Sequence, residues 1–148
     1  MCQRFIGANG ESKATKMQTK TDIFKQTTYG ERLLGHLDPV GQLVKQEGRG
    51  EVVVGRVENS HIFRLTTHNE RELGYYDEQG IVYSYGLFDG GKLGWVESDG
   101  AVIRAGLIFG EEEVGRVEGT DLYPAAAALL LLFLPDDAEE EKRLYADR

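Results

Sequence analysis

Apolar residues flank a glycine with one spacing five times along the chain: Leu34 and Leu37 around Gly35, Val54 and Val57 around Gly55, Leu73 and Tyr76 around Gly74, Leu93 and Val96 around Gly94, Val114 and Val117 around Gly115. The glycines stand 20, 19, 20 and 21 residues apart, and a fixed period of that length marks one supersecondary unit repeated along a chain. Within a unit, apolar and polar positions alternate with the period of a strand. The glycine interrupts the alternation, because its apolar neighbours are three positions apart instead of two. A β-bulge or a close approach of two backbones is therefore predicted at each anchor glycine.

Three positions after each anchor comes an acid, namely Asp38, Glu58, Asp77, Glu97 and Glu118, followed by turn-forming residues such as Glu78-Gln79-Gly80 or Ser98-Asp99-Gly100. A second β-rich run follows, for example Ile81-Val82-Tyr83 or Ala101-Val102-Ile103. This order predicts a β-hairpin. Five positions before the anchors stand Gly30, Gly50, Asn69, Asp89 and Gly110, residue types that tolerate positive φ, so a second turn joins each hairpin to the next. Strands this short cannot bury a face alone and must pack on one another, and closure removes exposed edges. The predicted fold is mainly β, with four to five hairpin units packed as a closed or flower-like meander over residues 29–124. Residues 1–28 are predicted to be a polar, flexible lead, with Met17 as an alternative start.

After Tyr123 the pattern changes to Pro124, four alanines, four leucines, Phe133 and Leu134, strong helix formers with proline suited to a first turn. Ten such residues rise about 15 Å, about half a bilayer core, so a membrane span is not expected; the segment is predicted to pack on or plug the open end of the hairpin assembly, with a partner-binding or membrane-surface segment as the alternative. Pro135 is predicted to stop this helix. Asp136 and Asp137 would then cap a second, solvated helix or tail running to residue 148, with acids early and bases late as the helix dipole favours.

The repeated unit, carried by Leu73-Gly74-Tyr75-Tyr76-Asp77 with Gly80-Ile81-Val82-Tyr83 and by the parallel stretches around Gly55, Gly94 and Gly115, together with the Ala/Leu run Ala125 to Leu134, resembles the four-fold beta-flower proteins. The resemblance covers roughly residues 50–134. It implies a fold without an assigned function and supplies no catalytic residues.

Composition narrows the function classes. Glycine makes up 19 of 148 residues against 3 prolines, which fits many tight turns. A net charge of −8 argues against a nucleic-acid partner, since phosphate binding needs clustered Lys and Arg. The single Cys2 and the absence of zinc spacing fit a reducing, cytoplasmic setting. Gly86, Gly91 and Lys92 resemble part of a phosphate loop, but Leu93 stands where Ser or Thr would bind magnesium. His36, His61 and His68 lack metal spacing, and no nucleophile stands in an elbow context.

Two constellations remain. The acids Asp38, Glu58, Asp77, Glu97 and Glu118 are candidate metal carboxylates if equivalent units bring them into a ring suited to calcium; otherwise they are turn residues. Directly after the anchor glycines, Arg56, Tyr75, Trp95 and Arg116 are candidate interaction residues, since Arg, Tyr and Trp are favoured interface anchors; otherwise they pack within a strand face. The expectation is a non-enzymatic structural or protein-interaction module, with a protein partner or self-association and no cofactor. The alternative is a small-molecule, glycan or metal-binding module using the acidic and aromatic positions.

Overall fold

A computed structural model describes residues 20–85, 91–106 and 110–146. Ten strands run in chain order: β1 Thr21–Thr27, β2 Gly30–Leu37, β3 Gln42–Glu47, β4 Gly50–Glu58, β5 His61–Leu65, β6 Glu70–Tyr76, β7 Ile81–Ser84, β8 Lys92–Val96, β9 Ala101–Arg104 and β10 Glu112–Glu118. Each pairs antiparallel with its chain neighbour, and β10 returns to pair with β1, so the sheet closes into a barrel. The predicted closed meander is therefore present: four anchored strands form hairpins with the strand that follows, β2–β3, β4–β5, β6–β7 and β8–β9, and the fifth, β10, pairs with β1 across the closure.

The fifth unit corrects one expectation. Residues 21–27 fall within the predicted flexible lead, yet they form β1, the missing second strand of the unit anchored at Gly115. Ile23 is fully buried, as are Leu43, Ile62 and Val82 and Val102 at the matching position of the other units. β1 forms a tight hairpin with β2 as well as closing on β10, and the second contact joins segments about a whole repeat domain apart. Residues 1–19, including Cys2 and Met17, lie outside the described residues.

The predicted bulge is present in every unit. Ile23 opposes Gly35 while Phe24 opposes Leu33, so Leu34 has no partner of its own; the same shift recurs at Gly55, Gly74, Gly94 and Gly115. The bulge turns both the aliphatic residue and the glycine toward the barrel axis. The anchors do not appear among the positive-φ glycines; space demands them instead. A Cβ on Gly74 would lie 2.1 Å from the Tyr83 carbonyl oxygen and 3.0 Å from Leu131.

A ten-stranded barrel is wider than one that its own wall side chains can fill, and the C-terminal segment occupies the lumen. It runs as one continuous helix: α1 Leu122–Ala128, a π-helical turn Leu129–Phe133, and α2 Leu134–Ala146, with right-handed helical backbone at both junctions. Every residue from Ala125 to Phe133 is buried, as expected for a helix apolar on all sides. The helix lies within the barrel rather than over its end, and α1 touches strands from around the wall, including β1, β2, β5, β6, β8 and β10. Pro135 does not stop it. The ladder shifts from i−4 to i−5 bonding just ahead of Pro135, with the Leu134 amide donating to the Leu129 carbonyl, so its missing donor falls where the ladder is already irregular.

The π turn matches the repeat. The nearest helix side chains to the anchor glycines are Leu129 at Gly115, Leu130 at Gly94, Leu131 at Gly74, Leu132 at Gly55 and Phe133 at Gly35. In an α-helix, Leu129 and Phe133 would share a face; the wider π turn spreads five successive residues around the circle, one per unit. Large helix side chains thus meet a wall without side chains. One turn earlier the sizes reverse, with alanines on the helix and branched residues such as Leu37, Val96 and Val117 on the wall of the same core.

The turns at the α1 end tie neighbouring units together. The Gly41, Ser60, Gly80 and Gly100 carbonyls accept hydrogen bonds from Val57, Tyr76, Val96 and Val117, respectively, of the following unit. At the opposite end, Gly30, Gly50 and Gly110 have the expected positive φ. Asn69 does not; Thr66 closes that turn by donating its hydroxyl to the Asn69 carbonyl at 2.7 Å, so a left-handed residue is not required. Asp89 lies outside the described residues.

Candidate functional site

Because the helix takes the inner face, the chemistry-bearing residues lie at the rims and on the outer wall. Alternation along a strand puts the residue after each anchor glycine outside, and there four of the five units divide into two kinds, the unit at Gly35 carrying His36. In two of them an arginine covers an aromatic ring of the adjoining strand. Arg56 lies 4.4 Å over Phe63 and Arg116 lies 5.6 Å over Phe24. Each guanidinium then reaches a carboxylate one strand further on with two parallel hydrogen bonds: Arg56 to Glu70 (Nη2 to Oε1, 2.8 Å) and Arg116 to Glu31 (2.7 and 2.8 Å). The arginine hydrogen bonds hold Glu70 and Glu31 below the ordinary carboxylate range and raise both arginines.

The hairpins anchored at Gly74 and Gly94 carry aromatic residues instead. Tyr75 stacks on Tyr83 across β6 and β7 with ring centres 5.0 Å apart, and His61 and Tyr85 lean against it at 5.7 and 5.8 Å. Glu72 sits at the edge of this group: Tyr85 donates its hydroxyl to Glu72 at 2.7 Å, and His61 Nδ1 contacts the same oxygen. Those two bonds lower the Glu72 pKa, and the bond to Glu72 raises that of Tyr85. On β8, Trp95 lies between Ile81 and Ile103 in register, with the Lys92 ammonium 5.0 Å from its ring. His61, Tyr75, Tyr83, Ile81, Trp95 and Ile103 thereby form one continuous outward face over β5–β9. The predicted interaction residues do not share a single groove. Tyr75 and Trp95 belong to this face, while Arg56 and Arg116 are engaged in clamps on other parts of the wall.

The five repeated acids are not brought together. Asp38 and Asp77 each accept two backbone N–H bonds within their own turn, from Val40 and Gln42 and from Gln79 and Ile81. Burial pushes Asp77 up, but these amides and the Tyr83 hydroxyl outweigh it and leave the carboxyl lowered. Glu58 and Glu118 pair with Arg56 and Arg116, two residues earlier on the same strand face. Glu97 accepts from the Trp95 indole at 3.4 Å. One sequence position thus has two local uses, turn closure for Asp and same-face pairing for Glu. Among the described residues, no group of three or more His, Cys, Asp or Glu is placed to hold a metal ion. Lys92 opens a strand and Leu93 packs against the core, unlike a phosphate loop; Gly86 lies outside the described residues.

A further set was not anticipated from the sequence. Lys25, Lys45, Arg64, Ser84 and Arg104 each stand opposite an anchor glycine in register, and three of them bind the emerging helix. Lys25 and Arg32 pair with Asp137, Arg64 with Asp136 at 2.6 Å, and Lys45 with Glu140 at 2.6 Å. Asp136 and Asp137 thus anchor the helix to the rim instead of capping a second one, because the helix is continuous through Pro135, whereas residues 138–144 are exposed. Beside these pairs lies an open cleft of about 910 Å³ between β1–β3 and α2. The repeat of basic residues was present in the sequence, but β1 had to be recognised as a strand before Lys25 aligned with the others.

No helix of the described residues is long and apolar enough to cross a membrane. Comparison with family models, with curated proteins and with solved structures finds no match.

Proposed function

We propose that the chain is a non-enzymatic protein-interaction module whose contact surface is the aromatic face over β5–β9. The observation that carries this reading is the division of the outer wall. Arg56 and Arg116 are committed to intramolecular clamps, whereas Tyr75, Tyr83, Tyr85 and Trp95 stand together as partly exposed rings. Tyr and Trp offer large contact area at little entropic cost and are enriched at interface centres. The chain's own helix fills the lumen, which removes the usual ligand cavity of a barrel. Among the described residues the closed barrel leaves no edge strand for β-addition either, so a partner engages side chains rather than the backbone.

The test is affinity capture and sizing with wild type, Tyr75→Ser/Trp95→Ser, and the wall control Arg56→Ser/Arg116→Ser, all checked for an intact barrel by circular dichroism. A stoichiometric partner, or a second copy of the chain, is expected to be retained by wild type and the arginine variant and lost by the aromatic variant. Equal recovery by all three, or no stoichiometric complex with any, refutes the proposal.

A further inference from the structure

Resting on that reading, we infer that the partner presents an arginine-bearing segment, whose guanidinium stacks on the Tyr75–Tyr83–Tyr85 group and hydrogen-bonds to Glu72. The chain supplies its own precedent for this contact. At two equivalent places on the wall, an arginine lies over the ring contributed by the second strand of a unit and binds a nearby carboxylate, in the groups Arg56–Phe63–Glu70 and Arg116–Phe24–Glu31.

In the β6–β7 hairpin the same wall position is Tyr75 and the ring position is Tyr83. The carboxylate is Glu72, on the same strand as Tyr75 and not on the strand after the ring as Glu70 and Glu31 are, and it is held beside the rings by Tyr85 and His61. Among the described residues, no Arg or Lys is placed over these three tyrosine rings. Tyr75 itself takes the arginine's place over Tyr83, so a guanidinium supplied from outside would lie on the outer face of the tyrosine group beside Glu72, bringing together the cation, ring and carboxylate that the chain combines in its own clamps. Arginine fits better than lysine because its planar fork both stacks on a ring and bonds a carboxylate through two donors. The net charge of −8 favours approach of a basic segment over an acidic one.

The inference is tested by titrating the full ¹⁵N-labelled chain with acetyl-Gly-Arg-Gly-Arg-Gly-amide and with its lysine counterpart at about 0.1 M salt, where exposed charges are partly screened. Saturable shifts are expected at the amides of Glu72, Tyr75, Tyr83 and Tyr85, with weaker binding of the lysine peptide. Tyr75→Ser and Glu72→Gln should each weaken the arginine peptide about three- to fivefold, and Tyr75→Phe should restore it. Equal response to both peptides, or shifts centred on the exposed acids Glu139–Glu141, overturns the inference. A partner captured through Tyr75 and Trp95 that is not displaced by the arginine peptide also overturns it, while leaving the interaction-module reading standing.

Discussion

The pairing of one helix residue with one unit makes a quantitative prediction at Gly115. A methyl group added there would lie 2.3 Å from the Phe24 carbonyl oxygen and 2.7 Å from Leu129 Cδ2, both well inside normal contact. Overpacking of a core typically costs about 1–3 kcal/mol, and Gly115→Ala belongs at the upper end because the carbonyl is part of the ladder and cannot rotate away. Leu129 is fully buried, so Leu129→Ala alone should cost about 2–5 kcal/mol. Combining the two removes one of the two clashes. The double variant should therefore be more stable than the sum of the single effects by about 1 kcal/mol, within the range of coupling between residues in contact. Leu131 faces Gly74 instead, so Gly115→Ala combined with Leu131→Ala should be additive. Urea unfolding of the full chain, followed by Trp95 fluorescence and circular dichroism, measures all five variants. Equal coupling for both pairs, or no coupling for the matched pair, would falsify the one-residue-per-unit register.

Three further outcomes follow from the same geometry. Asp137→Asn leaves Lys25 and Arg32 without their charged partner and should lower stability by about 1–3 kcal/mol at neutral pH. Burial raises the Asp137 pKa, but the bonds from Lys25 and Arg32 outweigh it and leave the carboxyl below its ordinary value; this contribution is present above about pH 4 and is lost as acid protonates the folded state, so the variant should show a shallower acid limb in urea melts across pH. Deleting residues 1–28 removes β1 and exposes the edges of β10 and β2; light scattering and circular dichroism should report aggregation, and a monomeric, cooperatively folding product would contradict barrel closure by β1. Asp77→Ala should cost about 1 kcal/mol through two lost turn bonds and Asp77→Asn much less, with the Tm unchanged by calcium; a calcium-dependent rise of several degrees that disappears in Asp77→Asn/Glu97→Gln/Glu118→Gln would restore a metal role for the repeated acids.

The sequence by itself determined the repeat, the hairpins and the bulges, because these rest on local rules: alternation of side chains, turn residues, and a glycine inserted into an apolar pattern. It also determined that the Ala/Leu run is a helix whose apolar faces all need covering, while the tertiary structure placed it inside the barrel rather than against a partner or a membrane surface. Tertiary structure decided what depends on residues distant in the chain. Thr21–Thr27 forms a tight hairpin with β2 through the turn at 28–29, but that the same strand closes the barrel against β10 is a contact between distant segments that only the tertiary structure supplies. Pro135 read as a stop because the π turn preceding it is set by packing: five units around the axis require five consecutive side chains to point in five directions. The acids after the anchors were legible as a pattern and their uses are local, Asp38 and Asp77 closing their own turns and Glu58 and Glu118 pairing with arginines two residues earlier; the tertiary structure decided that they are not gathered into one site. The aromatic face has the same origin. Tyr75 and Trp95 are 20 residues apart in sequence, and pairing of β6 through β9 places them on one surface.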